Sequence, residues 1–332
     1  MSKFLRVLLI GCAWSASYAL LGGGTELLGQ QAKEIINLKQ HPVRYDNNLG
    51  AGVARIGEGR LWQIDATLVE IPPGGQLAPR RHLAEEMTYI VSGRGHTLMW
   101  NGPEGNKQRY EWKEGDLLSP TLNAWQQHVN GSSGEPARYL VISTAPLTKK
   151  LFQNPAFLSS VDFSFDERWK DSVGREPKYV PGGEGAMSVR MMVGHLLPDV
   201  KNRRMMYRGN NMMGITISPE GDMAANRLLE MEVREFTTGE AAGPHHRHLW
   251  EVVYYVLNGN GYSVLQREGE PERRIDWKEG DLFIVEANEY HNHRAREGAG
   301  ARRIQMKASG YFHDVGIDKY LMQTKPAADS PR

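Results

Sequence analysis

The chain has 332 residues, with 40 lysines and arginines against 39 acidic side chains, so it lacks the basic excess of a phosphate-tracking surface and nucleic acid is not an expected partner. A single cysteine, Cys12, excludes an internal disulfide. At this length two domains are expected, each large enough to bury its own core, and 36 glycines suit many tight turns between short strands.

Residues 1–28 differ from the rest. Lys3 and Arg6 precede an apolar run from Val7 to Trp14, and Ser17-Tyr18-Ala19 offers small residues at the two positions a signal peptidase reads. The expectation is a signal peptide or N-terminal anchor, and hence an exported, periplasmic protein. Lipidation at Cys12 within "LIGC", a membrane anchor over Leu5 to Leu21, and a retained segment on a cytoplasmic protein are the alternatives. A membrane is a partner only if the segment is retained.

Residues 29–146 read as a first β-rich domain. "AKEIINL", ending at Leu38, is expected to be a short helix in its lead-in. From Arg60 to Ala145, short β-rich runs ("LWQIDATLVEI", "MTYIVSG", "HTLMW", "RYLVIST") are separated by Gly, Pro and Asn. Residues 147–205 form a connector punctuated by Asn154-Pro155 and Glu176-Pro177. Residues 206–310 are a second β-rich domain, and 311–332 an extension in which "YFHDVGIDKYLMQ" is expected to be one helix before a disordered tail. Nine of the fourteen methionines lie between Met187 and Met231. Clustered thioethers can bind Cu(I), but adaptable apolar packing is the expected role.

The hexapeptide "WKEGDL" occurs at Trp112 to Leu117 and again at Trp277 to Leu282. "YIVSGRGHTLMW" from Tyr89 matches "YVLNGNGYSVLQ" from Tyr255 at nearly the same offset, so the repeating unit is a whole domain. The hexapeptide itself is expected to be structural, its Gly-Asp making the turn into a strand.

Just before the second copy stands "GPHHRHLWEVVYYVLNG". His246 and His248, two apart, lie on one face of a strand. His291 follows Gly280 in "IVEANEYHNHR". These residues, with Gly239 and Gly259, resemble the two motifs of the cupin superfamily, G-x5-H-x-H-x3-E-x6-G and G-x5-P-x-G-x2-H-x3-N. The resemblance extends over both copies and implies an all-β fold: two jelly-roll (double-stranded β-helix) cupin barrels in tandem.

The departures from the family pattern direct the functional reading. The family's metal-binding glutamate falls at Val252, and the nearest acidic residue, Glu251, should point to the opposite face of its strand. Three imidazoles remain, as in gentisate-type dioxygenases and some diketone-cleaving ones. The resemblance implies one divalent metal per chain at His246, His248 and His291, Fe(II) favoured, with Mn, Cu, Ni or Zn as alternatives. In the N-terminal copy the motif positions hold Gly74, Arg80, His82, Glu86, Gly93, Gly115, Gln126 and Asn130. Arg80 has no lone pair to give a metal, so Arg80 and Glu86 are expected to form a buried ion pair, unless His128 restores a second metal site.

The leading expectation is a mononuclear non-haem Fe(II) dioxygenase acting on a small aromatic or enolisable substrate. His293 would be the catalytic acid or base and Tyr254 and Trp250 the pocket walls; Arg302 and Lys307 could hold a substrate carboxylate, although a solvated basic edge is the expected role of both. A non-catalytic metal- or ligand-binding envelope protein and a cupin isomerase or epimerase are the alternatives. A small molecule is the expected partner, with self-association through barrel edges as a further option.

Overall fold

The computed structural model describes residues 34–174, 176, 178–180, 190–192, 194–204, 206–209, 212–217, 228–236, 245–296, 300–317 and 322–324. The expected signal or anchor segment, with Cys12, lies outside them. So do Gly239, parts of the methionine-rich stretch and the last eight residues. Among the described residues no helix is long and apolar enough to cross a membrane.

Two sheets face each other in each half, antiparallel except where Arg190–Met192 pairs parallel with Met212–Ile217. The N-terminal barrel has a seven-stranded sheet and a three-stranded sheet, and the C-terminal barrel a nine-stranded and a five-stranded one. The strands Glu86–Ser92 and Val252–Asn258 are central, and both are almost wholly buried. Side chains alternate along a strand, so a strand covered on both faces serves two cores at once. Met87, Tyr89 and Val91 join Val253, Tyr255 and Leu257 in one core shared by the two barrels. Tyr89 meets its counterpart Tyr255 across it, with ring centroids 5.3 Å apart. Ile90 points instead into the N-terminal barrel, and Val252, Tyr254 and Val256 into the C-terminal one.

The repeated hexapeptide closes a turn in each barrel. Gly115 and Gly280 take φ of +92° and +84°, and the following Asp116 and Asp281 accept the amides of Lys113 and Lys278 at 2.9 Å. The tryptophans lie against Gly95 and Gly261, where an added Cβ would meet the indole at 2.5 and 2.3 Å. Each indole can approach only because its neighbour has no side chain.

"AKEIINL" is not a helix. Ile35–Asn37 is a strand, and it pairs with Asp281–Val285 of the C-terminal barrel rather than with its own half. Its β-branched pair packs on a sheet edge, which outweighs helix propensity in so short a segment. The exchange is reciprocal, because Leu196–Leu197 of the connector pairs with Leu117–Leu118 of the N-terminal barrel. Leu38 donates its amide to Gly280 and Val200 to Gly115, at 2.9 and 2.8 Å. The connector also forms three short helices, Ala145–Phe152, Pro155–Ser160 and Asp166–Ser172. Asn154-Pro155 starts the second, with proline at its first position and the Asn154 side chain accepting from the Ala156 amide. The C-terminal extension is not one helix either: Ser309–Asp314 is helical, while Met322–Thr324 is a strand paired with His246–His248.

A pair of glutamates locks the barrels together. Glu251 projects out of its own barrel and accepts the amides of Trp62, Gln63 and Ile64 at 2.8, 2.5 and 2.9 Å. Its counterpart Glu85 accepts those of Leu228 and Leu229 at 2.5 and 3.0 Å from the other side. Each amide left without an acceptor in a buried setting costs about 1–3 kcal/mol. Glu251→Ala should therefore destabilise the chain by about 3 kcal/mol or more in urea unfolding, and Glu251→Gln by clearly less. An alanine variant within about 0.5 kcal/mol of the parent, as is usual for surface changes, would show that the exchange is incidental.

Candidate metal centre

His246 and His248 sit on the strand His246–His248, and His291 on Tyr290–Ala295, where it pairs directly with His246. Period-two alternation puts the first two on one face, and antiparallel register brings the third beside them. Ring centroids are 4.4 Å apart for His246 and His291, 4.7 Å for His248 and His291, and 5.8 Å for His246 and His248. One potential ligand atom from each lies within 4.8 Å of the others, the only such group of three among the described residues.

Backbone carbonyls set the tautomers. His248 donates Nδ1–H to the Trp250 carbonyl at 2.7 Å, and His291 to the Glu289 carbonyl at 2.8 Å. Both leave Nε2 with a lone pair, and that of His291 is buried without a partner. Burial, then Lys307 and His246, pull the His248 pKa down to about 3. His291 is likewise held well below its ordinary value by burial and the two neighbouring imidazoles. Imidazole nitrogens brought together on one face of a barrel are what a divalent transition metal requires. The donor set fits such an ion.

Around the triad, Trp250 stacks on His248 at 4.6 Å, and His293 lies 5.4 Å from His291 with Tyr254 packed on it at 4.7 Å. His293 is neutral, held well below its ordinary pKa by burial and by Arg303. The Trp277 indole donates to Ser263 Oγ at 2.9 Å, and the remaining contact of Ser263 is His293 Nδ1 at 2.7 Å. The serine proton therefore goes to Nδ1, and His293 Nε2 carries a hydrogen, buried and without a partner. His293 is a hydrogen-bond donor beside the three clustered histidines.

Arg302 and Lys307 are each engaged within the fold, and Lys307 is buried rather than on a solvated edge. Arg302 faces away from the barrel interior and is occupied by Glu235 and by the carbonyls of Lys201 and Arg203. Lys307 does face inward, but Glu230 and Glu232 neutralise it at 2.8 and 2.9 Å. The residue passed over is Arg303, fully buried between the rings of Phe236 and Tyr254 at 4.8 and 4.5 Å. Its signal was present in the alternation of Ala301–Lys307, whose Ile304 and Met306 belong to the shared core, leaving 303, 305 and 307 for the interior. The serine and tryptophan behind His293 carried no comparable signal.

In the N-terminal barrel, Arg80 donates Nη2–H to both oxygens of Glu86 at 3.1 and 3.2 Å, and His82 Nε2 lies 2.8 Å from Glu86 Oε2. Gln126 adds a bond to Glu86 at 3.3 Å. Arg80, outweighing burial with help from His82, holds the Glu86 carboxyl far below its usual range. His128 does not join a metal-type cluster. Thr97 occupies its Nδ1 at 2.7 Å and Trp112 backs Thr97 at 2.9 Å, duplicating the arrangement behind His293.

The cupin domain family matches residues 67–143 and 233–304, one segment in each barrel. The chain belongs to the cupins, and its two barrels make it a bicupin. Among solved structures, salicylate 1,2-dioxygenase from Pseudoaminobacter salicylatoxidans, determined with gentisate, is 14% identical, with 88% of this chain and 81% of that one aligned and a TM-score of 0.59. An oxalate decarboxylase is 11% identical over 84% and 78%, with a TM-score of 0.54. Hazelnut (Corylus avellana) vicilin is 11% identical over 84% and 86%, at 0.51. These likenesses concern the fold. A sequence comparison with curated proteins finds no match.

Loading with Co(II) or Fe(II) should give one equivalent per chain. His248→Ala should weaken binding by more than about 100-fold, since loss of a mere orienting partner costs 10–100-fold, and His82→Ala should leave it unchanged. Two equivalents, or loss on the His82 change, would contradict the single site. A second measurement concerns acid. His128 and His195 are both pulled to about 3 by burial. Their folded pKa lies below the unfolded value of about 6.5, so the unfolded chain binds more protons in between. Their contribution is fully present above pH 6.5 and is lost as the pH falls toward 3. Two such groups give a loss of up to about 2.7 kcal/mol per pH unit, so urea midpoints should drop between pH 6.5 and 4.5. His128→Gln should flatten that slope.

Proposed function

We propose that the C-terminal barrel is a mononuclear non-haem dioxygenase, with Fe(II) the favoured ion, acting on a small aromatic or enolisable substrate. The observation that carries this reading is the triad His246, His248 and His291, three imidazole donors with Val252 where a fourth, anionic ligand would stand. Neutral ligands leave the ion's full charge for an anionic substrate, and a three-residue set leaves positions open for a bidentate one. Fe(II) bound there would supply O2 activation. Manganese, copper, nickel or zinc would use the same donors.

The protein's own groups supply the rest. His293 presents Nε2–H toward the interior beside the triad, so it can donate a hydrogen bond to a substrate oxygen as negative charge develops there. Trp250 and Tyr254 are flat apolar walls against which a ring can lie. The likeness to salicylate 1,2-dioxygenase supports the reading through its fold. Export from the cytoplasm is part of this proposal, and the basic, apolar N-terminal segment is what supports it.

Oxygen uptake by metal-loaded protein with catechols, gentisate and diketones is the direct test. One O2 should disappear per substrate, both atoms entering the product, with no external reductant. His248→Ala should abolish uptake, and His293→Ala should lower kcat by about 100- to 1,000-fold with metal binding intact, as for loss of an oxyanion donor. Turnover without O2 would instead indicate an isomerase, and metal binding without any turnover a binding protein.

A further inference from the structure

The strands Glu230–Phe236 and Ala301–Lys307 pair so that Glu230 faces Lys307, Glu232 faces Gln305 and Arg234 faces Arg303. These residues point into the C-terminal barrel, since Met231, Val233, Ile304 and Met306 between them belong to the shared core. The inward row therefore holds three cations and two carboxylates. Both carboxylates are used: Glu232 binds Arg234 at 2.6 Å and Lys307 at 2.9 Å, and Glu230 binds Lys307 at 2.8 Å. Gln305 also donates to Glu232 at 2.6 Å. Among the described residues, Arg303 is the cation left over.

Its setting is unusual in two ways. Arg303 is 2% exposed, yet its Nε and Nη1 have no hydrogen-bond partner. It also stands directly across the strand pair from another arginine, an arrangement that is unfavourable without an intervening anion. The Phe236 and Tyr254 rings hold the guanidinium in place and offset part of its desolvation, but neither can accept its in-plane N–H groups. Burial pulls its pKa down to about 9, so it stays charged at neutral pH. A buried fork of unused donors is the complement of a carboxylate. On one side of it, Tyr254 packs on His293, and His293 on His291.

We propose that Arg303 is the carboxylate-binding residue of this barrel, so that its substrate is an aromatic or enolisable carboxylic acid whose anion supplies the charge missing from the Glu230, Glu232, Arg234, Lys307 row. The orientation follows from the arrangement. The carboxylate lies on the guanidinium, and the reacting part of the molecule extends past Tyr254 toward His293 and the triad. The substrate class rests on the proposed function, but binding at Arg303 does not require turnover.

The test uses the full metal-loaded chain, with benzoate and pyruvate as probes, benzyl alcohol as a neutral counterpart, and inorganic phosphate and chloride as competing anions. By calorimetry at least one carboxylate should bind, and Arg303→Met should weaken it by tenfold or more without changing the affinity for benzyl alcohol. Arg303→Lys, which keeps charge but loses the fork, should fall between. Without ligand, Arg303→Met should unfold about 2 °C or more above the parent, because it removes an unpaired buried charge, and the carboxylate should raise the midpoint of the parent only. A purely structural arginine would behave oppositely. The proposal is overturned by a methionine variant that fails to fold or is less stable than the parent. Equal carboxylate affinity in parent and variant, no carboxylate binding at all, or equal stabilisation by phosphate or chloride would also overturn it. Arg303-dependent binding without O2 uptake would leave this site standing and remove the dioxygenase, and O2 uptake indifferent to Arg303 would do the reverse.

Discussion

Glu86–Ser92 and Val252–Asn258 are buried on both faces, and this constraint organises the molecule. Because side chains alternate, each residue of these strands is assigned either to its own barrel or to the core shared with the other. A shift by one residue exchanges the two destinations. Glu251 and Val252 illustrate the consequence: the carboxylate is spent on the amides of Trp62, Gln63 and Ile64, while valine faces the barrel interior. The valine on the barrel face and the locking of the two barrels thus belong to one stretch of chain.

The duplication kept its scaffold more faithfully than its chemistry. Both barrels retain the glutamate exchange, the tryptophan against a glycine, and the Trp–hydroxyl–His arrangement that fixes His128 and His293. They differ where His246, Val252 and His291 correspond to Arg80, Glu86 and Gln126. In the N-terminal barrel the carboxylate and guanidinium satisfy one another, with His82 and Gln126 in support, an arrangement whose net contribution to stability is near zero but whose halves are each expensive to lose. In the C-terminal barrel burial keeps His248 and His291 neutral, each with Nε2 left as an acceptor.

Charge is distributed in the same spirit along the inner face of Glu230–Phe236 and Ala301–Lys307. Most of it cancels locally, which lets six polar residues sit inside a barrel. What does not cancel is concentrated at Arg303, next to the aromatic and imidazole groups of the candidate site. A folded chain keeps such an imbalance only where the surrounding packing is stable enough to carry it, and the shared core of the two barrels supplies that packing.

The tandem β architecture, the repeat and the grouping of His246, His248 and His291 were all legible in the chain, because short runs with period two, a repeated hexapeptide and an H-x-H pair are local patterns. So was the outward direction of Glu251, from parity alone. The strand at Ile35–Asn37 was not legible, since three residues carry too little periodicity to separate a strand from a helix, and its partner lies some 240 positions away. The unused state of Arg303 was equally hidden. Strand parity could place it inside the barrel, but its lack of a counter-ion depends on how Glu230 and Glu232 are shared among cations brought together by antiparallel register, and only the folded sheet determines that.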